Sequence, residues 1–314
     1  GGIVVLMFHR ILNGAEFEES LSLRGMKVRG ETFEQFWRFL QSFCEVADPE
    51  VAGPGQPSGK LRVMLTFDDG WADNAPILER LPQDTHPIVF ICPGMMNSTA
   101  PFWPERLSRH ISTSGNAETA VVGALAMPLA ERGDYLESIW RTSAVRPFGK
   151  MDRTMAWEQV LDLARRGVRF GSHTQTHQQL AEIGPDAAAE ELRLAKYAIE
   201  AALGGNCDLF AYPNGSCSDV TDEALRRGGV RRAFTTAPGV WLAETNPLAI
   251  PRMNVSEENL AGPAGHFSKA ITLYTLIWRG WRASRQAKAL PAVTGEPIPD
   301  LSSKNALARY STDQ

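Results

Sequence analysis

Apolar, β-branched runs recur along the chain at about 3–8, 62–67, 87–92, 168–172, 208–212, 232–236 and 248–253, separated mostly by stretches with helical spacing. Thr32 and Gln35 form a capping-box pattern ahead of Phe33, Phe36, Trp37 and Leu40, which share one helical face. Pro76 stands where a first helical turn would start. Trp157, Val160, Leu161 and Ala164 make an apolar stripe closed by Gly167, and Pro185 opens a long helix through Leu192, Ala195 and Ile199 that ends at Gly204-Gly205. Strands alternating with helices imply parallel pairing through helical crossovers. Seven strands with chemistry-bearing residues at their ends predict an α/β fold, an incomplete (β/α) barrel, with an open doubly wound sheet as the alternative. Residues 93–153 are too long for a plain connection and predict an inserted helical lid or wall after the third strand. Residues 47–59, rich in Gly and Pro, read as a loop.

Two strand ends carry the candidate chemistry. Leu65-Thr-Phe-Asp-Asp-Gly70 sets two carboxylates side by side, and Ser172-His-Thr-Gln-Thr-His177 sets two imidazoles at i and i+4. Adjacent buried carboxylates repel unless a positive charge lies near. A divalent metal held by one Asp and two His resolves the conflict and leaves the other Asp free as a base. That donor set suits Zn²⁺ with open positions for water and substrate. Either motif alone reads as a turn or an incidental pair, but both fall on one rim if the strands are parallel.

Composition excludes little but does exclude something. The 314 residues are 43% hydrophobic and 22% charged, enough for one large core, and the net charge of −4 offers no basic field for nucleic acid. Cys44, Cys92, Cys207 and Cys217 are scattered without a CxxC, so free buried thiols are expected rather than a zinc ribbon or a disulfide framework, although Cys207 and Cys217 are close enough in sequence to pair. Ile3–Phe8 is too short to span a membrane and has no basic leader, so it reads as a strand. A segment is expected to precede Gly1. Neither a cytoplasmic nor an envelope-associated setting is excluded.

Thr66-Phe-Asp-Asp-Gly70 and His173-Thr-Gln-Thr-His177 resemble the first two motifs of the polysaccharide deacetylase family (carbohydrate esterase family 4, the NodB-homology domain), and Phe210-Ala-Tyr-Pro-Asn-Gly215 resembles the third. The resemblance covers roughly residues 1 to 255. It implies a deformed (β/α)7 barrel, a Zn²⁺-like metal and removal of acetyl groups from N-acetylated or, less often, O-acetylated sugars. By the same resemblance Asp68 matches the catalytic base and Asp69, His173 and His177 the metal ligands. The third motif makes Tyr212, Pro213 and Asn214 candidates for oxyanion and substrate contact, with the backbone N–H of Asn214 steadying the oxyanion.

Two departures stand out. Ala211 occupies the place of an arginine that contacts the base, so Arg252, at the end of the last predicted strand, is the candidate partner for Asp68. The leucine-x-histidine expected near the C-terminus is absent, whereas Met7-Phe-His9 has that character at the first strand's end. Some family members resemble circular permutations in which the final strand comes first, and His9 is therefore the candidate general acid. Trp71, Trp103 and Trp241 are candidate sugar-stacking residues, Trp71 foremost because it follows the Asp-Asp-Gly turn.

The expected organisation is a catalytic domain over 1–260, an amphipathic helix over 261–290 and a polar tail over 291–314. Within 266–288, apolar and aromatic residues alternate with Lys269, Arg279, Arg282, Arg285 and Lys288. Such a helix fits packing against the barrel or a peripheral membrane contact. The function expected is metal-dependent N-deacetylation of an N-acetylhexosamine glycan. An O-acetyl esterase using the same site, or a non-catalytic glycan-binding relic, are the alternatives.

Overall fold

The computed structural model describes residues 1–56, 58–99, 102–111, 117–142 and 152–287. The tail at 291–314, the end of the C-terminal helical stretch and parts of the insertion lie outside them. Among the described residues there are ten strands: β1 (Ile3–Phe8), β2 (Arg10–Leu12), β3 (Lys27–Arg29), β4 (Cys44–Val46), β5 (Leu61–Phe67), β6 (Ile88–Ile91), β7 (Arg169–Ser172), β8 (Leu209–Ala211), β9 (Arg232–Phe234) and β10 (Met253–Asn254). The main sheet runs β10-β1-β5-β6-β7-β8-β9, all parallel, with β4 beside the start of β5. β2 and β3 pair separately.

The first strand lies beside the last: Leu6 pairs with Met253, and on its other side with Leu65. Ile250 meanwhile bridges to Phe234 at the far edge of the sheet. The short segment 250–254 thus touches both edges, and the sheet curls into a deformed barrel wrapped by helices. The predicted strand 248–253 is not one strand; it splits between these two pairings.

Strand alternation sorts the core into two layers. Val4, Leu6, Phe8, Val63, Leu65, Phe67, Val89 and Ile91 point outward and pack beneath helices such as Gly30–Phe43. Ile3, Val5, Met64, Ile88, Phe90, Leu209, Ala211, Phe234 and Ile250 fill the barrel interior. Both faces of β1 are therefore buried, which explains its uninterrupted apolar sequence.

Helix Gly30–Phe43 starts two residues before the predicted capping box, and Thr32 does not cap it. The Glu257 carboxylate does the equivalent work from the other end of the chain, accepting from Arg29 N–H (2.8 Å) and Thr32 Oγ1 (2.7 Å). The insertion is helical: Trp103–Ile111, Ala117–Leu125 and Leu129–Thr142 pack around Leu107, Val121, Ala124 and Leu136. The C-terminal stretch, Lys269–Ala287, is helical with a π segment at Leu273–Trp278. It buries Leu276 and sets Gly280 against Met253, where an added Cβ would meet the sulfur at 2.9 Å. All four cysteines are free.

Candidate active site

The alternation that builds the interior also aims the site. Asp68 continues the inward series Met64, Thr66; His9 continues Ile3, Val5, Met7; Arg252 follows Ile250. Asp68 N–H donates to Phe8 O (2.9 Å), so the two strand ends stay in register beyond their last paired residues. Asp69 then turns into the left-handed region (φ 72°), and Gly70 follows (φ 70°) with Ile91 2.9 Å from where its Cβ would be. Only glycine fits there.

Asp68 is buried against Arg252. The guanidinium donates from Nη1 to Oδ1 and from Nη2 to Oδ2, both at 2.6 Å, and is itself held by Thr235 O (2.9 Å) and Thr66 Oγ1 (3.1 Å). Burial alone would lift the Asp68 carboxyl; Arg252, then His173, outweigh it and hold the group below the usual carboxylate range. The fork-on-fork geometry also fixes the carboxylate plane. Arg252 thus stands where the arginine missing at Ala211 would act.

Asp69, His173 and His177 bring one donor atom each to within 4.8 Å of one another. Asp69 Oδ1 lies 3.4 Å from His173 Nε2 and 3.3 Å from His177 Nε2, is buried, and receives no hydrogen bond. Two imidazole nitrogens and an orphaned carboxylate oxygen turned toward one point fit a divalent cation. Neighbouring groups orient these donors. His173 Nδ1 donates to Ala211 O (2.7 Å), which directs the Nε2 lone pair at Asp69. His177 packs on Phe102, ring centroids 5.0 Å apart.

Trp71 was a candidate for stacking on sugar, and the structure corrects this. The ring is wholly buried, and its Nε1 donates to Asp69 Oδ2 (3.0 Å). Trp241 is buried too, while Trp103 remains half-buried and lines a cavity beside the triad. Tyr212 and Pro213 are likewise corrected as substrate contacts. Tyr212 falls on the outward phase of β8, and its hydroxyl is shared between Asp222 Oδ1 (2.8 Å) and Leu248 O (3.0 Å). Pro213 is buried, and only Asn214 (φ 54°) is exposed at the cavity.

His9 is half-buried, with a partnerless Nδ1. Burial pushes its pKa below the ordinary histidine value despite the opposing fields of Asp69 and Asp68. Next to it, Arg10 is a buried hub that sequence reasoning passed over. Its Nε donates to Asp73 (2.7 Å), its Nη1 to Asp152 (2.7 Å), and its guanidinium lies 4.2 Å from the Trp71 centroid. Arg109 of the insertion also binds Asp152. Glu105, on the same helix, is buried with Oε1 unpartnered; burial, then the charge of Asp69, push its carboxyl up to about 7. A charged residue directly after a motif histidine is the one sequence signal for Arg10, and nothing in the sequence marks Glu105.

The polysaccharide deacetylase family profile matches residues 55–233. YxkH of Bacillus subtilis (strain 168), which carries a polysaccharide deacetylase designation, is 26% identical over 258 residues, covering 80% of this chain and 71% of that protein. Among solved structures, Streptococcus pyogenes deacetylase PplD in complex with acetate aligns over 88% of this chain and 98% of its own at 18% identity and a TM-score of 0.59. IcaB from Ammonifex degensii aligns over 82% and 93%, at 19% identity and 0.54. At those identities the structures speak for the fold, while the profile covers more than half of the chain, which belongs to the polysaccharide deacetylase family.

Proposed function

We propose that this protein hydrolyses N-acetyl groups of an N-acetylhexosamine-containing glycan and releases acetate, with Zn²⁺ held by Asp69, His173 and His177. The observation that carries the reading is the placement of an arginine-clamped carboxylate, Asp68, beside an inward-facing Asp-His-His set on one barrel rim. Bound there, the metal would supply Lewis acidity for a water and for the acetyl oxygen. Asp68, kept ionised by Arg252, takes the proton from the attacking water. The backbone N–H of Asn214, a residue at the cavity edge, would stabilise the developing negative charge. His9, whose proton affinity burial lowers, takes a proton from solvent as that charge grows and passes it to the leaving nitrogen, while the proton on Asp68 returns to solvent and restores the base.

A second reading draws on the same histidine. Metal and base act alike on an ester and an amide, and an alkoxide leaves with less help from a proton than an amine does, so an O-acetyl esterase using the same site would rely less on His9. Metal content followed by acetate release from N-acetylated chito-oligosaccharides and from O-acetylated xylan, with and without chelator, separates the two. Zinc-loaded protein that frees acetate from neither overturns both and leaves a glycan-binding relic.

No helix among the described residues is long and apolar enough to cross a membrane. Helix Lys269–Ala287 nonetheless exposes Leu273, Tyr274 and Trp278 beside Arg279 and Arg282, and it carries no acidic residue. We read this face as a peripheral contact with anionic lipid. Co-sedimentation with phosphatidylglycerol vesicles that is unchanged in Trp278→Ser would remove it.

A further inference from the structure

A cavity of about 310 Å³ opens beside His177 and Asn214, walled on its other side by helices Trp103–Ile111 and Leu129–Thr142 of the insertion. That volume is at the small end for ligand pockets, suited to roughly one sugar ring and its substituent. Its wall holds hydrogen-bond donors that the protein leaves unmet. Arg132 is only 4% exposed; one end of its guanidinium pairs with Glu182, but Nη1 has no partner among the described residues. Trp140 Nε1 is buried and also lacks an acceptor among the described residues. Arg106 lies over the Trp140 ring, 3.8 Å from its centroid, and no carboxylate pairs with it among the described residues.

Buried donors in native proteins are nearly always paired, so two unmet ones along one cavity call for an outside acceptor. A sugar hydroxyl serves poorly, because it brings a proton that needs an acceptor of its own. A carboxylate or phosphate oxygen brings lone pairs and a charge, and the planar guanidinium fork is built for both. We propose that the cavity is a subsite for an anionic substituent, carboxylate or phosphate, on the acetylated glycan. Arg106 and Arg132 hold the anion and Trp140 Nε1 adds a further hydrogen bond. The substrate class is thereby narrowed to acidic glycans whose charged group lies about one sugar from the acetyl group. This rests on the deacetylase reading, because only that reading places the acetyl group at the triad.

The test reads binding apart from turnover. Intrinsic tryptophan fluorescence of the intact protein is titrated with three oligosaccharides: neutral N-acetylated chitotetraose, a tetrasaccharide alternating N-acetylglucosamine with glucuronate, and chitotetraose phosphorylated on a 6-hydroxyl. Titrations in chelator keep a metal from attracting the anion and halt metal-dependent turnover; titrations with zinc accompany an acetate assay. At least one acidic ligand should bind tenfold or more tightly than the neutral one in chelator, and which one does so separates carboxylate from phosphate. Arg106→Gln should bring the affinity for the acidic ligand down to that for the neutral one measured on the same variant, and Arg106→Lys should restore part of the difference. Thermal melts verify that both variants are folded. Equal affinity for neutral and acidic ligands, no binding at all, or an advantage that survives Arg106→Gln would overturn the subsite. Acetate release without acidic preference sinks the subsite and spares the deacetylase; acidic preference without acetate release does the reverse.

Discussion

Replacing Arg252 with Met removes the bidentate partner of Asp68 and leaves a buried carboxylate facing Thr66 and the apolar interior. Both partners are essentially inaccessible to solvent, so little screening softens the loss. Breaking one side of such a pair costs about 3–5 kcal/mol, a large share of the ~5–15 kcal/mol that separates folded from unfolded proteins. The cost should depend on pH in a definite direction. Asp68 is held below its ordinary value in the wild type, so the pair's contribution is present above the unfolded carboxylate pKa and fades as pH falls through the folded value. Without Arg252, burial lifts the Asp68 pKa instead. The variant therefore sheds its buried charge at a higher pH than the wild type, and the stability gap narrows as the solution is acidified.

Urea melts of wild type and Arg252→Met from pH 4 to 8 measure the gap. The double variant Asp68→Asn/Arg252→Met removes the stranded charge and should be more stable at pH 7 than Arg252→Met alone. Catalysis gives an independent reading, since a base must be ionised to work. The acidic limb of kcat/KM against pH should move upward in Arg252→Met, while zinc content stays at the wild-type level because Asp69, His173 and His177 are untouched. A pH-independent stability gap together with an unmoved acidic limb would refute the assignment of Arg252 as the group that holds Asp68 ionised.

Asp68→Asn by itself should keep its zinc and lose about 10²–10⁴-fold in acetate release; loss of metal would mean that the roles of the adjacent carboxylates are reversed. Trp71→Phe keeps the ring volume but removes the donor on Asp69 Oδ2, so zinc affinity by competition with a chromophoric chelator should fall about 10–100-fold, and an unchanged affinity ends that role. His9→Ala should slow amide hydrolysis more than ester hydrolysis with metal retained; equal effects on both substrates would take the leaving-group proton away from His9. Glu105 has its pKa lifted from 4.5 to about 7. Because the folded state holds that proton more tightly, metal-free protein should lose on the order of 3 kcal/mol as pH rises from about 4.5 past 7. Glu105→Gln should flatten that slope in chelator, and melts showing the same slope in both proteins would count against it.

What the sequence exposed and what it hid follow a physical line. Period-2 alternation and motif position are local, so the sequence alone suffices to place Asp68, His9, His173 and Arg252 on one rim. The same alternation shows Tyr212 to be out of phase with Leu209 and Ala211, and it was the motif resemblance that drew Tyr212 toward the substrate. Trp71 was misjudged because its direction depends on the left-handed turn at Asp69, which folds the indole back under the carboxylate. Thr32 had a sound local reading that a carboxylate 225 residues away overrode. Strands of three residues, such as Arg10–Leu12 and Cys44–Val46, carry too little pattern to be seen.

Glu105, Arg106 and Arg132 were illegible for a different reason: their meaning depends on where the insertion docks. That docking is fixed by charge buried at long range. Arg10 on the barrel and Arg109 on the insertion both hold Asp152, and the neighbouring segment runs against the first motif through Met155 N–H to Gly70 O (2.8 Å) and Ala72 N–H to Arg153 O (2.9 Å). Such a network stabilises weakly when made and costs several kcal/mol when one member is lost, so it specifies a position more than it adds stability. Three of the non-glycine residues with positive φ, Asp69, His177 and Asn214, carry roles proposed at the rim itself, and Thr174 lies between the two histidines. Backbone held in such conformations needs surroundings that over-determine it. The barrel supplies them on one side and the docked insertion on the other. A site assembled at that seam can keep the metal donors of the barrel constant while the insertion, through residues such as Arg106, decides which glycan reaches them.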